Sequence, residues 1–266
     1  MDARSLSGIL TEVRAKRPLV HHITNYVTVN DCANVTLCIG AAPVMAHAHD
    51  EVAEMVAMAG ALVLNIGTLD HKQVDSMLAA GHRANELDVP IILDPVGAGA
   101  TRLRTETAKT LLHKLHISVL KGNAGEIATL AGAEGKVRGV DSAGVSGDPA
   151  EFARGLAEKL GLVVAVSGAT DIVTDGKRLI YVDNGHEMMG KLSGTGCMAS
   201  SISGAFAAAS KDHVASTAAA LAAFGVAGET AAKRCEGPAS FKIALLDEAY
   251  RLTADEVARN IKVRFA

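Results

Sequence analysis

Tryptophan is absent, and aromatic side chains make up only 3% of the 266 residues. Few rings are left to stack on bases, which counts against single-strand nucleic-acid binding. Nor is there an excess of positive charge. Lys and Arg number 26 against 29 Asp and Glu, the formal net charge is -3, and no long basic run occurs. A phosphate backbone is therefore not an expected partner. The four cysteines, Cys32, Cys38, Cys197 and Cys235, form no CxxC pair and lack the density of a secreted scaffold. They read as reduced thiols in a cytoplasmic setting. No run of 18 apolar residues exists, so no membrane span is expected. The first residues lack the apolar centre of a signal peptide and instead place Leu6, Ile9, Leu10 and Val13 at helical spacing.

What is present is a chain that is 49% hydrophobic, much of it Ala, with 26 Gly. Such a composition packs helices closely onto a sheet. Apolar runs at 18–23, 43–46, 61–67, 89–95, 117–123 and 162–168 read as buried strands. Between them the spacing predicts helices over 29–40, from an Asp50 N-cap to Gly60, up to residue 87, from Thr105 to His116, and over 124–131. The glycine-rich segment after residue 131 reads as a surface loop, and Asp148-Pro149-Ala150-Glu151 as a helix start. A hairpin is expected to turn at Asp175-Gly176, with helix from 196 almost to the end. Alternating strands and helices predict an α/β fold: an open, mostly parallel sheet with helices on both faces, formed by residues 1–266 as a single domain. A closed barrel is the competitor, disfavoured by the hairpin and the long helical tail.

Ligands of an open parallel sheet bind at the carboxyl ends of its strands. Polar residues gather there: His21 to Asn25, Asn65 to Thr68, Asp94 to Gly97, Lys121 to Asn123, and Ser167 with Gly168. Asp94 could merely cap a turn before Pro95, or its carboxylate could serve Mg²⁺, a hard cation that takes oxygen ligands. Glu126, one helical turn beyond Asn123, could simply favour a helix dipole or could face the same cleft. The segment from Lys191 to Ser200 is the most informative. Gly194 and Gly196 let the backbone curl directly before a long Ala-rich helix, so successive N–H groups point outward at the positive end of a dipole. That is an anion site, where a thiolate at Cys197 would be stabilised. The bland alternative is a small-residue turn with an inert thiol.

Three motif matches fail. Gly185 to Lys191 follows the P-loop pattern until Leu192 stands where Ser or Thr is required. Gly97-Ala98-Gly99-Ala100-Thr101-Arg102 lacks the third glycine of a dinucleotide fingerprint, and Gly194 to Ala199 satisfies only its relaxed form, late in the chain. His47 and His49 alternate after a strand without clear further ligands at metal spacing.

Asp94-Pro95-Val96-Gly97, Lys121-Gly122-Asn123-Ala124-Gly125-Glu126 and Gly194-Thr195-Gly196-Cys197 together give the chain a resemblance. The order of these motifs is similar to that of the hydroxyethylthiazole kinase family of the ribokinase-like superfamily. The likeness runs from about residue 5 to the end and includes residues 21–27, Pro43 to Ala46 and Asn65 to Thr68. It implies ATP-dependent phosphorylation of the hydroxyethyl group of 4-methyl-5-(2-hydroxyethyl)thiazole in thiamine salvage, by a homotrimer with sites between subunits. It implies Met45 and Gly194 as substrate contacts with Asn25 and Gly67 beside them. ATP contacts would be Lys121, Ser167, Asn123, Gly168 and Gly196, with Asp94 and Glu126 serving Mg²⁺. Lys121 stands where many relatives carry Arg. Cys197 takes the place of the Asp that serves as base in most ribokinase-like enzymes, and would position or deprotonate the alcohol. Kinases of pyrimidine or pyridoxal alcohols, a non-catalytic nucleotide-binding module, and a metal hydrolase using His47 and His49 are the competing readings.

Overall fold

The computed structural model describes residues 2–132 and 147–266. The glycine-rich segment read as a surface loop lies, apart from its ends, outside the described residues. The chain begins with α1 (Ala3–Lys16), β1 (Leu19–Ile23), α2 (Val29–Ile39) and β2 (Ala42–Val44). It continues through α3 (Val52–Ala57), β3 (Ala61–Asn65), α4 (His71–Glu86), β4 (Ile91–Asp94), α5 (Arg102–Lys114) and β5 (Val119–Asn123). Next come α6 (Ala124–Ala131), α7 (Pro149–Leu160), β6 (Val163–Ser167) and the hairpin β7 (Asp171–Thr174) and β8 (Leu179–Val182). After a 3-10 turn, Glu187–Lys191, helices α8 (Thr195–Ala209), α9 (His213–Ala232), α10 (Pro238–Arg251) and α11 (Ala254–Asn260) precede β9 (Val263–Phe265).

All nine described strands form one sheet in the order β2-β1-β3-β4-β5-β6-β7-β8-β9. Pairing is parallel from β2 through β6 and antiparallel beyond it. Consecutive strand residues point to opposite faces, and both faces are apolar. Val20, Val63, Ile92 and Ala165 meet α1, α2 and the C-terminal helices, while Leu62, Leu64, Leu93 and Val164 meet α4, α5 and α7. Strands buried on both sides explain why they read as continuous apolar runs. The chain runs from β1 to β2 on one side and then to β3 on the other, so strand order reverses beside β1. Such a reversal opens a crevice at the carboxyl ends of the strands.

Several boundaries differ from the sequence reading. Helix α5 starts at Arg102, because Thr101 caps it by accepting from the Arg104 amide, and Thr105 lies inside the first turn. The expected Asp50 cap is not formed: α3 begins at Val52 after Glu51, with no side-chain cap bond, and stops before Gly60. Strand β2 ends at Val44, so Met45 and Ala46 follow it, and the helical tail is closed by β9. Helix α9 is long and apolar enough to cross a membrane by length and composition, though polar residues interrupt its apolar run. Its sides are buried against α8, α10 and the sheet, as a core helix requires. Asp148 caps α7 as expected, accepting from the Ala150 amide ahead of Pro149.

Candidate active site

The strand ends and the start of α8 enclose two adjoining cavities of about 540 and 560 Å³. They share Lys121, Ser167, Gly190, Thr195 and Gly196 as a common wall. One holds Gly168, Asp171, Met189, Leu221 and Phe224, an apolar floor with a polar rim. The other holds Asn25, Gly67, Asp94, Asn123, Glu126, Gly194 and Cys197. Every site residue expected from the sequence therefore lines one cavity or the other, except Met45. Met45 is half-buried just past edge strand β2, apart from these walls. His21 and His22 are buried in the sheet: His21 Nε2 lies 2.7 Å from the Ala46 carbonyl, and neither ring lines a cavity. His47 and His49 are exposed, and among the described residues no group of three metal-binding side chains exists.

The α8 start has the curl expected of it. Gly194 caps the helix with φ +96, a left-handed conformation that side chains rarely adopt. A Cβ there would also sit 2.5 Å from Thr28 Cγ2. The amides after Gly194 are left without a side-chain cap and face the shared wall. Lys121, only 2% exposed, donates from Nζ to the Gly196 carbonyl at 2.9 Å and brings its charge to the same place.

Asn65, which the sequence placed at a polar strand end but gave no role, ties the second cavity together. Its Nδ2 donates to Asp94 Oδ2 at 2.9 Å and approaches Cys197 Sγ at 3.3 Å. Its Oδ1 accepts from Asn25 Nδ2 at 2.9 Å and from the Gly67 amide at 3.0 Å. Asn25 Nδ2 lies 3.4 Å from the same sulfur, and Asn25 Oδ1 accepts from the Thr28 amide and hydroxyl. Ser200 Oγ donates to Asp94 Oδ2 at 2.7 Å. Both of these donors fall on Oδ2, and among the described residues no side chain donates to Oδ1 of Asp94. Glu126 forms a reciprocal cap: Asn123 Oδ1 accepts from its amide, and its Oε2 accepts from the Asn123 amide at 2.8 Å. Its Oε1 accepts from the Gly97 amide at 2.7 Å, tying the turn after β4 to the start of α6.

Charge is concentrated here out of water. Burial raises the Asp94 carboxyl above its ordinary value, against the opposing influence of Lys121 and its two donors. Burial, then the proximity of Asp94, pushes Glu126 up to about 7 despite two backbone donors. Asp171, which accepts from the Gly168 amide at 2.9 Å, is pushed up to about 6 by burial. For Cys197 the sequence left open a stabilised thiolate or an inert thiol, and its surroundings bear on that choice. Burial, then the Asp94 charge, raises its thiol, which favours the protonated form.

The family model described as the hydroxyethylthiazole kinase family matches residues 10–255. The chain is 96% identical to a hydroxyethylthiazole kinase of Methanocella arvoryzae over the full length of both chains. It is 56% identical to one of Thermoanaerobacter pseudethanolicus, covering 97% of this chain and 98% of that one. The structure of a hydroxyethylthiazole kinase protein from Pyrococcus horikoshii superposes with a TM-score of 0.91 at 43% identity, covering 98% of this chain and 99% of that one. A ribokinase-like superfamily protein from Enterococcus faecalis, 14% identical with a TM-score of 0.64 over 93% of this chain and 95% of that one, shares the fold. The open, mostly parallel sheet is thus the ribokinase-like fold, and with matches that span its whole length the chain belongs to the hydroxyethylthiazole kinase family.

Proposed function

We propose that the paired cavities transfer the terminal phosphoryl group of ATP to the hydroxyethyl oxygen of 4-methyl-5-(2-hydroxyethyl)thiazole, a step of thiamine salvage. The observation that carries this reading is the shared wall at Lys121 and Gly196, where two small-molecule chambers meet at the open start of α8. The nucleotide takes the chamber with the apolar floor, with Ser167 and Gly168 along its phosphates and Asn123 met where they cross the shared wall. The alcohol takes the other, against Asn25, Gly67 and Gly194. Transfer through a loose transition state needs alignment and charge neutralisation more than a strong base. The uncapped amides after Gly194 and the Lys121 ammonium supply both at the migrating group. With its thiol protonated, Cys197 is assigned to holding the alcohol oxygen rather than to deprotonating it.

Magnesium fits the remaining chemistry. Asp94 and Glu126 are two buried carboxylates, Asp94 raises the proton affinity of Glu126, and among the described residues no side chain donates to Oδ1 of Asp94. These residues would hold the ion, directly or through water, and the ion would offset the polyphosphate charge. Met45 stands away from the alcohol chamber, and Val27 at its rim and the adjacent Tyr26 are 68% and 55% exposed. Both features support a homotrimer in which a neighbouring subunit completes each site. Residues 1–266 act as one domain in this reading, and the unbridged cysteines suit a cytoplasmic location. The test is ADP release with ATP and Mg²⁺ against the thiazole alcohol, a hydroxymethylpyrimidine and pyridoxal. Turnover of the thiazole alcohol in clear preference supports the reading; preference for either other alcohol, or ATP binding without turnover, rejects it.

A further inference from the structure

Arg104 occupies the first turn of α5. A cation there opposes the helix dipole, which favours acids at that end. Among the described residues no carboxylate forms an ion pair with it to compensate. Its half-buried guanidinium instead enters the wall of the alcohol chamber. Nη2 donates to the Gly67 carbonyl at 2.6 Å, and Nη1 donates to the Val96 carbonyl at 3.3 Å. These carbonyls belong to two different turns, one after β3 and one after β4. The second turn is shaped around the side chain: Gly97 has φ +77, and a Cβ there would overlap the guanidinium. A charge set against its local field, and given room by a neighbouring turn, is a break in local consistency of the kind found at working sites.

We infer that Arg104 is a positioning residue for the alcohol, holding the turns at Gly67 and Val96 at a fixed separation and so setting the shape of the chamber. The inference rests on the reading of that chamber as the alcohol site. A planar fork with fixed donors can serve two carbonyls at once, whereas the single ammonium of lysine cannot reproduce that geometry. Arg104 does not line the nucleotide chamber, so its effect falls on one substrate.

The experiment compares the full-length wild type with Arg104→Gln, Arg104→Lys and, as a control in the same helical turn, exposed Arg102→Gln. KM is measured for the thiazole alcohol at saturating ATP and for ATP at saturating alcohol, with thermal melts of each protein. Arg104→Gln is expected to raise the alcohol KM about tenfold, the equivalent of one lost hydrogen bond to a charged group. The ATP KM should be unchanged, Arg104→Lys should fall between wild type and Gln, and Arg102→Gln should match wild type. An alcohol KM at the wild-type value in a folded Arg104 variant, or equal rises in both KM values, overturns the inference. Should Arg104→Gln fail to fold, Arg104→Lys is read by the same two criteria. A wild-type protein that turns over no thiazole alcohol refutes the reading of the chamber, and that failure is visible before any variant is made.

Discussion

Replacing Glu126 by Gln isolates the electrostatic strain of the site. In the folded protein the Glu126 carboxyl is pushed from 4.5 to about 7 by burial and by Asp94. A carboxyl raised in this way contributes stability that is full below its unfolded value and is lost as pH rises through the folded one. The window is therefore from about pH 4.5 to about 7, and the shift corresponds to roughly 3 kcal/mol over that range. Glutamine does not titrate, so wild-type stability should fall relative to Glu126→Gln by that amount between pH 4.5 and 7.5. His22 has the opposite tendency, held down at about 4 by burial, so its contribution is present above its ordinary value and lost as pH falls. It is present in both proteins and cancels in the difference. Urea unfolding at the two pH values, without Mg²⁺, measures the quantity. Adding Mg²⁺ at pH 7.5 should then stabilise the wild type more than the variant, because a cation favours the ionised carboxyl. A wild-type-to-variant difference that is the same at both pH values would refute the reasoning.

Cys197 should alkylate slowly with iodoacetamide at pH 7.5, with a rate that keeps rising with pH and shows no plateau through pH 9, as followed by mass spectrometry of its peptide; a rate already at plateau below pH 8 would show a thiolate. Cys197→Ser should likewise keep the shape of the kcat pH profile. Gly194→Ala forces a side chain into a left-handed conformation against Thr28, and is expected to cost about 1–3 kcal/mol in stability together with most of kcat. Urea unfolding and initial rates check it, and near-wild-type values for both would contradict the packing seen there.

How much of this was readable before folding depends on the distance over which each meaning is set. Strand ends such as Asp94-Pro95 and Lys121-Gly122-Asn123 carry their signal locally, as an apolar run broken by polar residues, and the cleft forms where that pattern places it. The Gly194 curl was also legible, because glycine admits the left-handed conformation that a curl before a helix needs. Thr101 and Thr105 offer the same hydroxyl to a helix start, and only the folded backbone chooses between them. Thr105 instead bonds the Thr101 carbonyl and receives the Gly99 amide. Asn65 was seen as a polar strand end but not as a hub, since its partners Asn25, Asp94 and Cys197 lie far off in sequence. The state of the Cys197 thiol stayed open for the same reason. A helix start is visible in sequence, whereas burial and a carboxylate from another strand are not. Arg104 carries no signal in the sequence, because the Gly67 and Val96 carbonyls it serves are brought to it only by the folded turns after β3 and β4.

A crystal structure with the thiazole alcohol and a non-hydrolysable ATP analogue bears most directly on the phosphoryl path. The γ-phosphate is expected within hydrogen-bond reach of the backbone amides of residues 195–197 and beside Lys121 Nζ, with the hydroxyethyl oxygen next to Cys197 Sγ. A γ-phosphate seated away from the start of α8, or an alcohol bound outside the Asn25 and Gly67 chamber, would contradict the account.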